Sequence, residues 1–202
     1  MMVKKMTTVL ALVILAACKA ENTSGTPETE TTGDPAQSVQ ETSTATATTT
    51  GVTGGGMSAM SPEDKEFVSK AGMGGLYEVL AGNLALQKAQ HADVKAFAQK
   101  MVTDHGMGNT ELAQLATAKG LALPTELGGE HKSAYEHLQS LSGAEFDKAY
   151  MQHMVPDHEK TVADFDKAST TATDADVKGW AGKTLPTLQE HLRLSKEVAG
   201  KV

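Results

Sequence analysis

From Ser61 onward, apolar and small residues recur every three or four positions, and nothing in the pattern suggests strands. Ser61-Pro62-Glu63-Asp64 reads as a helix start, with a capping hydroxyl, proline at the first helical position and acids in the first turn. The stripe Phe67, Ala71, Gly75, Glu78, Gly82, Ala85 and Ala89 predicts a first helix ending near Gln90. A second, from about Asp93, carries Val94, Ala98, Met101, His105, Gly108, Leu112 and Leu115 and stops at Gly120, with Pro124 just beyond. Residues 121–142 are too many for a tight turn. They include an amphipathic piece, roughly Glu130 to Leu141, which predicts a crossover carrying a short helix. Gly143 opens a third long helix with Asp147, Met151, Met154, His158, Thr161, Phe165 and Ala168 on its stripe. A Thr/Asp turn near residue 172 leads to a fourth, with Val177, Ala181, Thr184, Leu188, His191, Ser195 and Val198. Four long helices, two short hairpins and one longer middle connection predict an all-α, ferritin-like four-helix bundle with a short crossover helix between helices 2 and 3.

The stripes contain residues that do not belong in an apolar core. Two pentapeptides nearly repeat, Met101-Val102-Thr103-Asp104-His105 and Met154-Val155-Pro156-Asp157-His158, and Glu190-His191 forms a third acid-histidine pair. An ionisable side chain facing a core costs free energy unless it finds a hydrogen-bond partner or a metal. Counting from a first turn near residue 91 puts Glu78 opposite His105. The same count from residue 172 leaves His158 and His191 about five residues, or roughly 7.5 Å, out of level, with His153 the closer match to His191. Pro156 and Pro186 are expected to bend their helices near the histidines and to free the carbonyls of Gln152 and Gly182.

One inward carboxylate and several inward imidazoles suit a divalent transition metal, so Glu78, His105, His158 and His191 are the candidate ligands for zinc, copper, iron or nickel. Asp104, Asp157 and Glu190 each precede a histidine by one residue, about 100° around the helix, which makes them backing or surface groups. His153 is an alternative ligand. Met101 and Met154, four residues before His105 and His158 on the same face, would suit Cu(I). The competing reading is a buried hydrogen-bonded His/Glu layer with no metal. His91, His131 and His137 fall at turns or on the crossover and are expected to be solvated.

Several chemistries lack their motifs. There is no Glu-x-x-His, which di-iron bundles use on two helices, so ferroxidase or oxygenase chemistry is not expected. No Gly-rich phosphate loop, His-Glu-x-x-His or Gly-x-Ser-x-Gly elbow occurs. No catalytic residues are assigned.

The N-terminus adds a location. Lys4 and Lys5 precede an apolar run from Val9 to Leu15, too short to span a bilayer, which reads as a signal peptide over residues 1–17. Its end, Leu15-Ala16-Ala17-Cys18, resembles the bacterial lipoprotein cleavage box, in which the cysteine becomes the lipidated first residue. Cys18 is the only cysteine, so no internal disulfide can form. Lys19 resembles the residue that follows the cysteine in outer-membrane lipoproteins, which implies a cell-envelope protein on the periplasmic side of the outer membrane in a Gram-negative cell. Residues 19–60, rich in Thr, Ser, Glu and Gly, predict a disordered tether with a reach of roughly 35 to 40 Å, and 61–202 form the folded domain. Loss of Lys4 and Lys5 with the signal takes the net charge from −7 to −9, which disfavours nucleic acid as a partner. The expected partner is the membrane, through the lipid on Cys18; the residues name no protein partner.

The stretch from Phe67 to Val198 resembles the bacterial domain-of-unknown-function family 4142, placed with the ferritin-like bundles. The resemblance rests on residues 84–89 (LALQKA), 101–105 (MVTDH), 141–150 (LSGAEFDKAY) and 184–192 (TLPTLQEHL). It implies an exported or envelope-anchored helical bundle with an acid at Glu78 and histidines at His105, His158 and His191. The family's biochemical role is not established, so the resemblance implies a fold and a ligand set but no reaction.

Overall fold

A computed structural model describes residues 60–202 of the chain; the segments expected to form a signal peptide and a Thr-rich tether, with Cys18 between them, lie outside the described residues. Five helices follow one another: α1 (Pro62–Lys88), α2 (Ala92–Ala118), α3 (Gly129–Ser140), α4 (Gly143–Thr171) and α5 (Ala175–Ala199). Ser61 caps α1 by accepting from Asp64 N, and Pro62 follows at the first helical position. Gly120, at φ +68°, ends α2, with Leu121 N bonding back to Ala116 O at 2.9 Å. Helices α4 and α5 run through Pro156 and Pro186 unbroken.

The long helices form two hairpins, α1 with α2 and α4 with α5, joined through the α1–α4 and α2–α5 faces. Two buried aspartates fix their directions. Asp64, in the first turn of α1, accepts from the backbone of Thr173 and Asp174 in the α4–α5 turn. Asp147, near the start of α4, accepts from Gln90 N and His91 N in the α1–α2 turn. Helix α1 therefore runs antiparallel to α4, and the order is up-down-down-up. That topology requires one crossover along the bundle, which α3 carries while packing on α1 and α4. The expected ferritin-like bundle with a crossover helix is the observed fold.

The core is divided along its length. One apolar cluster, around Tyr77, Phe97, Met101, Phe146, Tyr150 and Met154, fills the end near the α1–α2 turn. Val68, Leu112 and Val177, together with Phe165, Ala181 and Leu188, fill the other. Glu78, His158 and His191, all within 2% of full burial, lie between them.

Candidate metal centre

His105 stands at the midpoint of α2 and His158 one residue past that of α4, so both reach the same depth from parallel helices. His158 lies 13 residues before Thr171 and His191 lies 16 after Ala175, a mismatch of three residues, about 4.5 Å along the axis. Side chains on a helix tilt toward its N-terminus. In this antiparallel pair His158 leans away from the turn and His191 toward it, which closes the gap. The ring centroids of His158 and His191 are 5.6 Å apart, those of His105 and His191 5.2 Å, and those of His105 and His158 6.0 Å. The residue level with His191 is thus His158 and not His153, contrary to the count from the turn.

One ring nitrogen of each histidine lies within 4.8 Å of the other two. Hydrogen bonds fix two of the tautomers. His158 Nδ1 sits 2.8 Å from the Met154 carbonyl, which can only accept, so Nδ1 carries the proton and Nε2 the lone pair. His191 Nε2 sits 2.8 Å from Asp104 Oδ2, likewise only an acceptor when ionised, which leaves the lone pair on Nδ1. His158 Nε2, His191 Nδ1 and His105 Nε2 are buried and have no hydrogen-bond partner.

Electrostatics keep the rings neutral. Burial, then the neighbouring His191 and His158, pushes His105 down to about 3. Burial pushes His191 down to about 4 against the pull of Asp104, and lowers His158 as well. Asp104 stays ionised, since its hydrogen bonds from Lys100 and His191 outweigh the burial that opposes them. Three neutral imidazoles thus meet in one small volume, each with a buried ring nitrogen that costs about 1–3 kcal/mol while unsatisfied.

A second polar group adjoins the first. Oxygens of Glu78 and Asp157 and a nitrogen of His158 lie within 4.8 Å of one another, with Glu78 Oε1 at 3.6 Å from His158 Nδ1. Burial above all, then the Asp157 charge, raises Glu78 well above the usual carboxylate range, which favours its protonated form. Burial pulls Asp157 up too, but hydrogen bonds with His131 and Glu78 prevail and hold it low. Glu78 Oε2 and the buried hydroxyls of Tyr77 and Tyr150 have no partner. Six of the seven buried side-chain atoms without partners among the described residues therefore belong to these two groups and the tyrosines beside Glu78.

The histidines, Glu78 and Asp157 line a cavity of about 460 Å³ whose far wall is Phe67, Phe165 and Trp180. Gly75 on α1 lets the Asn109 side chain of α2 pack into that lining, since a Cβ there would lie 1.9 Å from its Oδ1.

The remaining sequence-singled residues fall as follows. Glu78 meets His158 and Asp157, whereas the turn count set it opposite His105. Asp104 and Asp157 point inward enough to bond His191 and to approach Glu78. Glu190 is exposed and paired with Arg193. Met101 and Met154 are fully buried in the apolar cluster, and His153 is half-buried on the outer side of α4, where His137, Asp157 and His131 act on it. His131, expected to be solvated, stacks on Tyr77 at 4.9 Å and approaches Asp157 Oδ1 at 3.4 Å, because α3 packs on α1 and α4. His91 caps α2 through Nδ1, and His137 is exposed as expected.

The bundle resembles solved structures at low identity. It superposes on the DUF305 fragment from Deinococcus radiodurans with a TM-score of 0.62 and 15% identity, covering 71% of this chain and 99% of that one. It matches CopM in the Cu(I)-bound form with a TM-score of 0.56 and 15% identity over 66% of this chain and 93% of that one. For CopM in the Cu(II)-bound form the values are 0.57, 16%, 68% and 96%. These likenesses establish a shared helical fold. No curated protein matches the chain. The sequence model of one family covers residues 50–198, nearly the whole bundle and its approach, and the chain belongs to that family, the domain of unknown function DUF4142.

Proposed function

We propose that the protein binds a transition-metal ion at His105, His158 and His191 and holds it for buffering, storage or sensing in the cell envelope, anchored by a lipid on Cys18. The observation that carries this reading is the convergence of three histidines, each offering a ring nitrogen within 4.8 Å of the other two and each with a buried ring nitrogen that has no hydrogen-bond partner. A hydrogen-bonded polar layer would use those nitrogens; this arrangement leaves them free. Three imidazoles suit zinc or copper, with iron a weaker match. Asp104 would hold His191 in the ligating tautomer, as a carboxylate behind a metal-bound histidine does elsewhere. CopM, which shares this fold, has been solved in Cu(I)-, Cu(II)- and Ag-bound forms, and that likeness supports a soft or borderline ion here.

The three ligands leave a further coordination position facing the cavity, where water or a donor molecule would complete the shell. Thermal unfolding of the purified protein with zinc, copper or iron tests the reading. A cognate ion at a hundred times its Kd adds about 2.7 kcal/mol, or roughly 8 °C in Tm, and His191→Gln abolishes the shift. No shift with any of the three ions contradicts the proposal.

A further inference from the structure

We propose that Glu78 and Asp157 form a second cation position, separate from the three imidazoles and on their cavity side. Both carboxyls line the cavity, and their oxygens and a nitrogen of His158 lie within 4.8 Å of one another. Glu78 is 2% exposed, and its Oε2 has no partner. A buried carboxyl oxygen left unpaired is costly and marks a missing donor or ion.

Beyond the hydrogen bonds that Asp157 makes with Glu78 and His131, no basic side chain of fixed charge among the described residues compensates the pair. Among the described residues, the ion-pair partner of Glu78 is His158 at 3.6 Å and that of Asp157 is His131 at 3.4 Å; neither pairs with a lysine or arginine. No permanent positive charge therefore answers two inward carboxyls on facing helices α1 and α4. The other buried acids are answered, Asp174 by Lys119 at 2.7 Å and Asp64 and Asp147 by backbone N–H groups of the opposite hairpin turns.

The position does not duplicate the imidazole centre. His158 Nδ1, the ring atom nearest Glu78, donates to the Met154 carbonyl, and Nε2 is left for the three-histidine group. The second ion would displace the Glu78 proton to water, take one oxygen from each of the resulting Glu78 and Asp157 carboxylates, and complete its shell with water from the cavity. His131 Nε2, 3.4 Å from Asp157 Oδ1, orients that carboxylate from α3. Two carboxylates and water form a hard donor set, suited to Mn²⁺ or Zn²⁺, beside a set of three nitrogens that favours zinc or copper. The ligand spacing also differs from the Glu-x-x-His pattern of di-iron bundles.

Equilibrium dialysis of the purified protein against Zn²⁺, followed by elemental analysis, tests the proposal directly. The expected result is two ions per chain at saturation, falling to one in Glu78→Gln and one in Asp157→Asn, with circular dichroism confirming the fold of each. His191→Gln also retains one, and Mn²⁺ added to that variant gives a bound-ion paramagnetic resonance signal that Glu78→Gln in the same background removes. Wild-type saturation at one ion that Glu78→Gln retains and His191→Gln loses overturns the second position and leaves the imidazole site standing. One ion lost in Glu78→Gln and kept in His191→Gln upholds the carboxylate position and overturns the imidazole reading. No bound ion overturns both, and so does binding unaffected by any of these variants.

Discussion

His191 Nε2 donates to Asp104 Oδ2 at 2.8 Å, and this bond between α5 and α2 decides which nitrogen of His191 faces the other imidazoles. Asp104 is itself held by Lys100 at 2.8 Å, one turn earlier on the same helix. Asp104→Ala removes the acceptor while leaving the ring in place. Metal affinity, measured by competition with a chelator, is expected to fall about 10- to 100-fold, with the ion-to-protein ratio unchanged at saturation. Unaltered affinity would show that the bond only joins two helices.

His105 Nε2 is buried without a partner, so the residue is a cost to the metal-free bundle. His105→Leu should raise the stability of the metal-free protein by about 1 kcal/mol, since an apolar group of similar size removes an unsatisfied atom. The same variant should lose the metal-induced rise in Tm. A polar layer that stabilised the fold through hydrogen bonds would respond in the opposite sense, with His105→Leu lowering Tm in the absence of metal.

The pH dependence follows from the depressed histidines. His105 and His191 titrate near 3 and 4 in the fold and near 6.5 when unfolded, so below pH 6.5 the unfolded chain takes up protons that the native one refuses. Stability of the metal-free protein should therefore fall from about pH 6.5 to about pH 4 and change less from these groups below that. Glu78 acts oppositely: its folded pKa is raised above the unfolded 4.5, so its contribution is present below pH 4.5 and is lost as pH rises. Metal affinity should stay nearly flat from pH 7 to pH 5 as far as His105 and His191 set it, because neither has a proton to displace there. Ordinary histidines would already lose affinity below pH 6.5, and a steep loss in chelator competition at pH 6 would show that the rings are not shielded.

Gly82 on α1 sits where a Cβ would lie 2.8 Å from Val102 Cγ2 and 3.1 Å from the Ala98 carbonyl, next to the turns that carry Glu78 and His105. Backbone cannot yield as a flexible side chain can. Gly82→Ala gains about 1 kcal/mol of helix propensity and loses about 1–3 kcal/mol to overpacking, for a net loss near 1 kcal/mol by denaturant unfolding. Gly74→Ala meets nothing within 4 Å and is the control, expected to stabilise.

Much of this architecture can be read from the residues. Periodicity of three and four locates the four long helices, and the capping chemistry at Ser61 and the stop at Gly120 mark boundaries that the structure reproduces to within a few residues. The inward direction of His105, His158 and His191 follows from the same stripes. What the stripes hide is breadth. Helix α2 touches both α1 and α5, so its inward sector spans more than the 100° between adjacent residues, and Asp104 can reach α5 while His105 faces the centre. Level is also hidden, because counting from a turn ignores the tilt of side chains toward helix N-termini, which brings His158 and not His153 to His191. The clamps of Asp64 and Asp147 on the opposite hairpin turns, and the approach of His131 to Asp157, depend on tertiary topology that no local pattern carries.

X-ray absorption at the edge of a zinc or copper ion bound at one equivalent tests the central claim most directly. Three imidazole nitrogens predict a first shell of nitrogen, at roughly 2.0–2.1 Å for zinc, with the outer scattering of histidine rings reduced by about one third in His191→Gln. A first shell of oxygen alone, or a spectrum that His191→Gln leaves unchanged, would contradict the account.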